Sequence, residues 1–395
     1  MASFEQWLRL RESPDLFEAL GSATGSELGL QERLRRTYDA DVVRAALSLR
    51  DARLRAKGRF SRADEMWFGR VGLEQASGEL VALHKATRFD GRCWDLCSGI
   101  GGDALALGTD ADVVAVDRDA SKALCCRWNC EAYGVAGRVE VVVADVERLG
   151  RMGGLVHIDP DQRPGGARRS HRIEDAEPGR AFLESLMRTA AGGAVKLSPA
   201  ANFLGKFAGC EVELVSVGRE CKQAVIWFGE LAGPPPPGQP QLFRATSLPT
   251  GETLAGHPLA VLFRMAPVGA FVVDPDPSVV RAGLVDVLAD RVDGWRLDER
   301  EEYVSSDRPA TTSLAQSFRV LSVTAYRIPL VREAARGLDF GPVEIKCRHV
   351  PVDASALRKK LKLTGSRPGV IVVAKVDGKT RAVLAERVSS LPEAS

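Results

Sequence analysis

From Arg92 the chain reads as a series of short β-rich runs, CWDLC, DVVAVD, VEVVVAD, LVHIDP and AVKLSP, with helical stretches between them; CEVELVSV and CKQAVIWFG close the series. Such runs alternating with helices build an open, mainly parallel α/β sheet. The first run ends in a bare turn. WDLCSGIGGDALAL carries Gly99, Gly101 and Gly102 within four residues, followed by a helix of small residues. Glycines at that place let the backbone approach a ligand closely and present free N–H groups to it. Gly99-x-Gly101-x-x-Ala104 satisfies the loose dinucleotide fingerprint, a match too weak to choose the ligand by itself.

Four acids narrow the choice. Asp95 sits inside the first run, four residues before Gly99, where a dinucleotide fold has an apolar residue and where a carboxylate suits an ammonium group. Asp117 ends the second run, placed to accept both hydroxyls of a ribose, and Asp145 ends the third, placed to accept the exocyclic amine of an adenine. Asp159-Pro160 ends the fourth, at the carboxyl edge where ligands of open α/β sheets bind. An amino-acid end, a ribose and an adenine without a pyrophosphate describe S-adenosylmethionine. A nicotinamide dehydrogenase leaves Asp95, Asp145 and Asp159-Pro160 unexplained.

At these residues the sequence resembles the class I methyltransferases. Within them DLCSGIGGDALAL is similar to the RNA cap guanine-N2 (trimethylguanosine synthase) type, whose loop reads D-x-x-C-G-x-G-G. Upstream, DEMWFGRVGLEQASGELVALHKATRF resembles the helical lead-in of bacterial methyltransferases that end in a THUMP-like domain. Downstream, GAFVVDPDPSVVRAGLV and VEIKCRHVPVDASALRKKLKLTG resemble the second half of that family, so the likeness spans nearly the whole chain. It implies a Rossmann-like seven-stranded sheet with an N-terminal helical segment and a C-terminal α+β THUMP-like domain. It also implies an S-adenosylmethionine-dependent enzyme that methylates a base nitrogen of RNA (tRNA or rRNA), with guanine N2 one candidate atom. Cys97, Arg118 and Val146 would join Asp95, Gly99, Gly101, Asp117 and Asp145 around the cofactor. Methylation of a small molecule or protein, or an inactive RNA-binding protein of the same fold, are the rival readings.

Methyl transfer from a sulfonium needs positioning more than acid–base chemistry. Asp159 can accept a hydrogen bond from an exocyclic amine, and Pro160 fixes its own φ and shapes the turn; both are the expected catalytic residues. An ordinary strand-end Asp-Pro turn is the plain alternative. DQRPGGARRSHR follows, and its Arg163, Arg168 and Arg169 suit phosphate. No aromatic follows Pro160, so base stacking has to come from elsewhere.

Organisation along the chain follows composition. Residues 1–90 read as helices, from spacings such as VVRAALSLRDARLRA. Residues 91–232 form the sheet domain, GPPPPGQP at 233–240 an extended spacer, and 241–395 an α+β region with the THUMP-like part at about 320–390. The overall charge of +2 is uninformative, but Gly341–Val388 holds eleven Lys and Arg against four acids, a net +7. In that stretch Arg358, Lys359 and Lys360 of SALRKKLKL are the candidate RNA-phosphate contacts.

The N-terminus is charged from its fifth residue, and no apolar span reaches membrane length, which leads us to expect a cytoplasmic protein without membrane partners. Eight cysteines lack the spacing of a disulfide framework, and Cys125, Cys126 and Cys130 share one helical pattern; reduced thiols and no metal are expected. His157 and His171 receive no role, Lys196 a packing or solvent role, and Asn129 hydrogen bonds within its own helix.

Overall fold

The computed structural model describes residues 2–21, 27–161 and 175–388. The chain divides into two units: Met1–Asn202 with Ile226–Ala232, and Phe203–Val225 with Gly233–Ser395.

The first unit opens with helices α1 (Phe4–Arg11), α2 (Pro14–Gly21), α3 (Glu27–Leu34), α4 (Ala40–Ala56), α5 (Arg70–Gln75) and α6 (Glu79–Ala86). Ser3 starts α1 with a capping box shared with Gln6, satisfying two end amides at once. α4 buries Val42, Val43, Ala46 and Leu49 at helical spacing. The loop before α5 is anchored by Trp67, whose ring meets Trp7, Phe17 and Trp128 edge-on at centroid distances of 6.2, 5.8 and 4.9 Å.

The sheet elements follow as β1 (Arg92–Leu96), α7 (Gly102–Leu107), β2 (Asp112–Asp117), α8 (Ala120–Tyr133), β3 (Val139–Val143), β4 (Leu155–Ile158), α9 (Arg180–Thr189) and β5 (Gly192–Leu197). β1 pairs in parallel with both β2 and β4, β2 with β3, and β4 with β5. The chain therefore lays β2 and β3 on one side of β1, then returns to lay β4 and β5 on the other. That reversal opens a crevice beyond the carboxyl ends of β1 and β4. Every residue of β5 and all but the first of β2 are buried, as expected of parallel strands covered on both faces. α8 is set by Asp119, which caps the Ser121 and Lys122 amides, and stops at Gly134 (φ 74°).

β6 (Glu211–Val217) lies in the second unit, and β7 (Glu220–Gly229) is divided, with Ile226–Gly229 counted in the first. Strand order is β3-β2-β1-β4-β5-β7 in the first unit. In the second, β7 and β6 are continued by β8 (Leu242–Leu248) and β9 (Glu252–Gly256), beyond the seven strands expected. The remaining elements are β10 (Phe271–Pro275), α10 (Pro277–Arg281), α11 (Val285–Arg291), β11 (Trp295–Arg296), β12 (Val304–Ser306), β13 (Ala315–Ala325), α12 (Ile328–Gly337), β14 (Phe340–Cys347), α13 (Ala354–Leu361), β15 (Arg367–Val376) and β16 (Lys379–Arg387). They form a second sheet ordered β11-β12-β10-β13-β16-β15-β14. Strand alternation serves two cores: Ile371 and Val373 pack with Val331 of α12 and Leu357 of α13, while Val370 and Val372 pack with Phe318 and Tyr303. No helix among the described residues is long and apolar enough to cross a membrane.

Candidate active site

After Leu96 the backbone turns through three left-handed residues, Cys97 (φ 58°), Gly99 (φ 58°) and Gly101 (φ 91°). A Cβ on Gly101 would lie 2.8 Å from Cys126 Sγ, and one on Gly102 would lie 3.0 Å from the Ser77 carbonyl oxygen. Packing against protein, as well as access for a ligand, therefore keeps this turn bare. The expectation of free amides is corrected. Ser98 N–H donates to Val116 O at 3.0 Å, Gly101 N–H to Ser98 O at 2.9 Å, and Gly99 N–H to Asp117 Oδ2 at 2.8 Å. A turn that uses these amides internally suits a ligand without a pyrophosphate.

Beyond the turn lies a cavity of about 240 Å3, lined among others by Asp95, Cys97, Gly99, Asp117, Arg118, Asp145, Val146, Asp159 and Pro160. Gly101 is not among the lining residues. Asp117 accepts the Gly99 amide on one oxygen and the Asp119 amide, at 2.9 Å, on the other; burial raises its carboxyl above the ordinary range against those bonds. Asp145 stands two residues past the end of β3, not on the strand, and caps a 3-10 turn over Val146–Arg148 through the Glu147 amide. Val146 in that turn is buried. Arg118 forms an ion pair with Glu177 at 2.5 Å. Burial, with Asp117, Asp159 and Asp95 nearby, raises the Cys97 thiol far above its usual value. That disfavours the thiolate, the nucleophilic form.

Asp159 follows β4 and donates its own N–H to Leu96 O at 3.2 Å. Its Oδ2 accepts from Lys196 Nζ at 2.5 Å, and the same ammonium reaches the Gln75 carbonyl at 2.9 Å. Oδ1 has no hydrogen bond among the described residues. Lys196 is thus corrected from packing or solvent to a buried partner of Asp159. The available signal was a lysine inside the otherwise apolar run AVKLSP, since buried lysines need an acid.

A chain of buried polar groups lies behind Asp95, and sequence reading missed it. His157 Nδ1 is 2.7 Å from Asp95 Oδ1, and His157 Nε2 is 3.0 Å from Lys85 Nζ. Lys85 pairs with Asp103 at 2.5 Å, and Ser77 Oγ donates to the other Asp103 oxygen at 2.7 Å. Asp95 Oδ2 is buried without a partner. Burial raises the Asp95 carboxyl, against the pull of His157. Burial lowers Lys85 against the pull of Asp103, while the Asp103 carboxyl, despite burial, is held well below the usual range by Lys85. Asn129 is also corrected: it bonds outside its helix, to the Trp67 N–H and carbonyl and to the Ile100 carbonyl, tying the lead-in to the glycine turn.

Arg163, Arg168 and Arg169 lie outside the described residues. Arg358, Lys359 and Lys360 sit exposed on α13 in the second unit, where Asp353 caps the helix through the Ala356 amide and Arg358 Nε donates to Val343 O at 2.9 Å. All eight cysteines are unpaired. No group of three or more His, Cys, Asp or Glu is placed to hold a metal among the described residues.

The reversal at β1, the tight turn and the acids beside it define the class I methyltransferase fold, and comparison with known proteins agrees. A solved structure assigned to the methyltransferases, from Porphyromonas gingivalis W83, shares the fold with a TM-score of 0.78 at 17% identity, over 95% of this chain and 97% of its own. Residues 91–188 match the model of the RNA cap guanine-N2 methyltransferases, and residues 315–387 match that of the THUMP-like domains. Two strains of Mycobacterium tuberculosis, CDC 1551 and H37Rv, each carry an uncharacterized S-adenosylmethionine-dependent methyltransferase. Each is 34% identical over 312 residues, 77% of this chain and 83% of theirs. This chain belongs to that family of S-adenosylmethionine-dependent methyltransferases.

Proposed function

We propose that the enzyme methylates an exocyclic base nitrogen in RNA, with tRNA or rRNA as substrate and guanine N2 as the first atom to test. The observation that carries this is Asp159 at the cavity, one oxygen held by Lys196 and the other open, as an amine acceptor requires. The match of residues 91–188 to RNA cap guanine-N2 methyltransferases and the THUMP-like match of residues 315–387 support RNA as the class of acceptor. A cytoplasmic location goes with this reading.

The residues present fit the cofactor: a buried carboxylate oxygen without a partner, at Asp95, matches an ammonium group. Asp95 would hold the amino-acid end, Asp117 the ribose hydroxyls, and Asp145 with Val146 the adenine. When bound, S-adenosylmethionine supplies an electrophilic methyl group. Asp159 Oδ1 accepts a hydrogen bond from the acceptor amine and so turns the nitrogen lone pair toward the methyl. Pro160 keeps that turn rigid, and Lys196 prevents the carboxylate from rotating. Positioning of this kind acts mainly by removing orientational freedom before reaction.

A modified-nucleoside mass profile of a deletion strain against its parent tests the substrate, and one missing methylated nucleoside is the expected result. Asp159→Ala should abolish turnover on that RNA while leaving S-adenosylmethionine affinity in place. Methylation by the variant at the parental rate would place the reacting site elsewhere.

A further inference from the structure

His157 is buried between two groups that fix its ring proton. Lys85 Nζ stands 3.0 Å from Nε2, and an ammonium can only donate, so Nε2 accepts. The ring proton then sits on Nδ1 and is donated to Asp95 Oδ1 at 2.7 Å. Lys85 Nζ also lies 2.5 Å from Asp103 Oδ1, as an ion pair, and 3.4 Å from Ser77 Oγ, so the ammonium is held among acceptors. The charges of Lys85 and Asp103 cancel, as do those of Lys196 and Asp159 nearby. Asp95 has no Lys or Arg ion pair among the described residues, and its Oδ2 is unpartnered. A buried charge in that state calls for a cation.

We propose that Lys85, acting through His157, is a positioning residue for the cofactor: it holds Asp95 as a carboxylate with one oxygen engaged and the other presented to the ammonium of the amino-acid end. The proposal rests on placing that end at Asp95. Without the Lys85 ammonium, Nε2 is free to take a second proton. The imidazolium would then neutralise Asp95 and oppose the positive charge of the cofactor. The groups facing the ring are Asp95 from β1, Lys85 from α6, Asp103 from α7 with Oδ2 at 3.8 Å, and the uncharged Phe89 ring. Lys196 of β5 and Asp159 after β4 act on Lys85 from farther out.

Lys85→Met alone would leave Asp103 as a buried unpaired charge, which is strongly destabilising, so the test uses Lys85→Met with Asp103→Asn. Calorimetry measures binding of S-adenosylmethionine and of 5′-methylthioadenosine, which lacks the amino-acid end, between about pH 5.5 and about pH 8, where imidazole changes charge. The expected result is a variant-to-parent ratio of dissociation constants for S-adenosylmethionine that climbs to about tenfold toward the acid end of that range. The ratio for 5′-methylthioadenosine should stay near one throughout. A ratio that is flat with pH, or equal losses for the two ligands, would overturn the proposal. Asp95→Asn separates the underlying reading: unchanged S-adenosylmethionine affinity there puts the amino-acid end elsewhere, whereas a loss there without one in the double variant refutes Lys85 specifically. Should the double variant not fold, His157→Asn, whose amide donates to Asp95 whether or not Lys85 is present, is compared with His157→Leu. The first should bind near parental strength and the second about tenfold more weakly, the scale of one charged hydrogen bond; equal losses would overturn the proposal.

Discussion

Asp117 uses one oxygen for the Gly99 amide and the other for that of Asp119, so its substitution would loosen the turn as well as remove the proposed ribose contact. Asp117→Ala should weaken S-adenosylmethionine binding by roughly 1.5–3 kcal/mol for each charged hydrogen bond removed; unchanged affinity in calorimetry would remove Asp117 from the site. Asp95 makes a prediction about pH. Burial raises its carboxyl above the ordinary 3.8 in the folded protein. Stability associated with the protonated form is therefore present at low pH and lost as pH rises through the raised value. In the absence of cofactor, Asp95→Asn should melt progressively higher than the parent as pH climbs from about 4 toward neutrality. Added S-adenosylmethionine should shrink that gap by stabilising the parent alone. A gap independent of pH would mean that Asp95 bears no isolated charge in the fold.

Among the elements, α13 buries Leu357 and Leu361 and turns Arg358, Lys359 and Lys360 outward, an arrangement suited to a phosphate backbone. Replacing the three cations by Gln should weaken RNA binding strongly at low salt and little at high salt. On single strands the salt slope should fall by roughly 0.7 for each phosphate that the protein no longer neutralises. Cofactor affinity should not change, because every residue lining the cavity belongs to the first unit. Identical salt titrations for variant and parent would remove RNA from α13. At this scale the sequence was readable where the physics is local: continuous apolar runs become parallel strands, and glycine runs become turns. It was less readable where a strand stops. Asp145 follows an unbroken β-rich run, yet β3 ends at Val143 because the chain leaves the sheet to form the cap.

For the whole molecule, the acids at the strand ends announced themselves because each lies next to its own strand in sequence. Lys85, His157 and Lys196 did not, because what makes them notable is a partner far along the chain. Lys85 and His157 are 72 residues apart, and Lys196 and Asp159 are 37 apart. A lone histidine or lysine shows no role until folding supplies the group that neutralises it. The same separation gives the lead-in its significance. The family match to the sheet begins at residue 91, yet Gln75, bonded to Lys196, Ser77 and Lys85, bonded to Asp103 and His157, and Trp67, bonded to Asn129, all precede it. The heritable module is therefore larger than the recognisable one: recombination between relatives at that seam would exchange sheets that keep their glycines and acids and lose the residues that hold them in place.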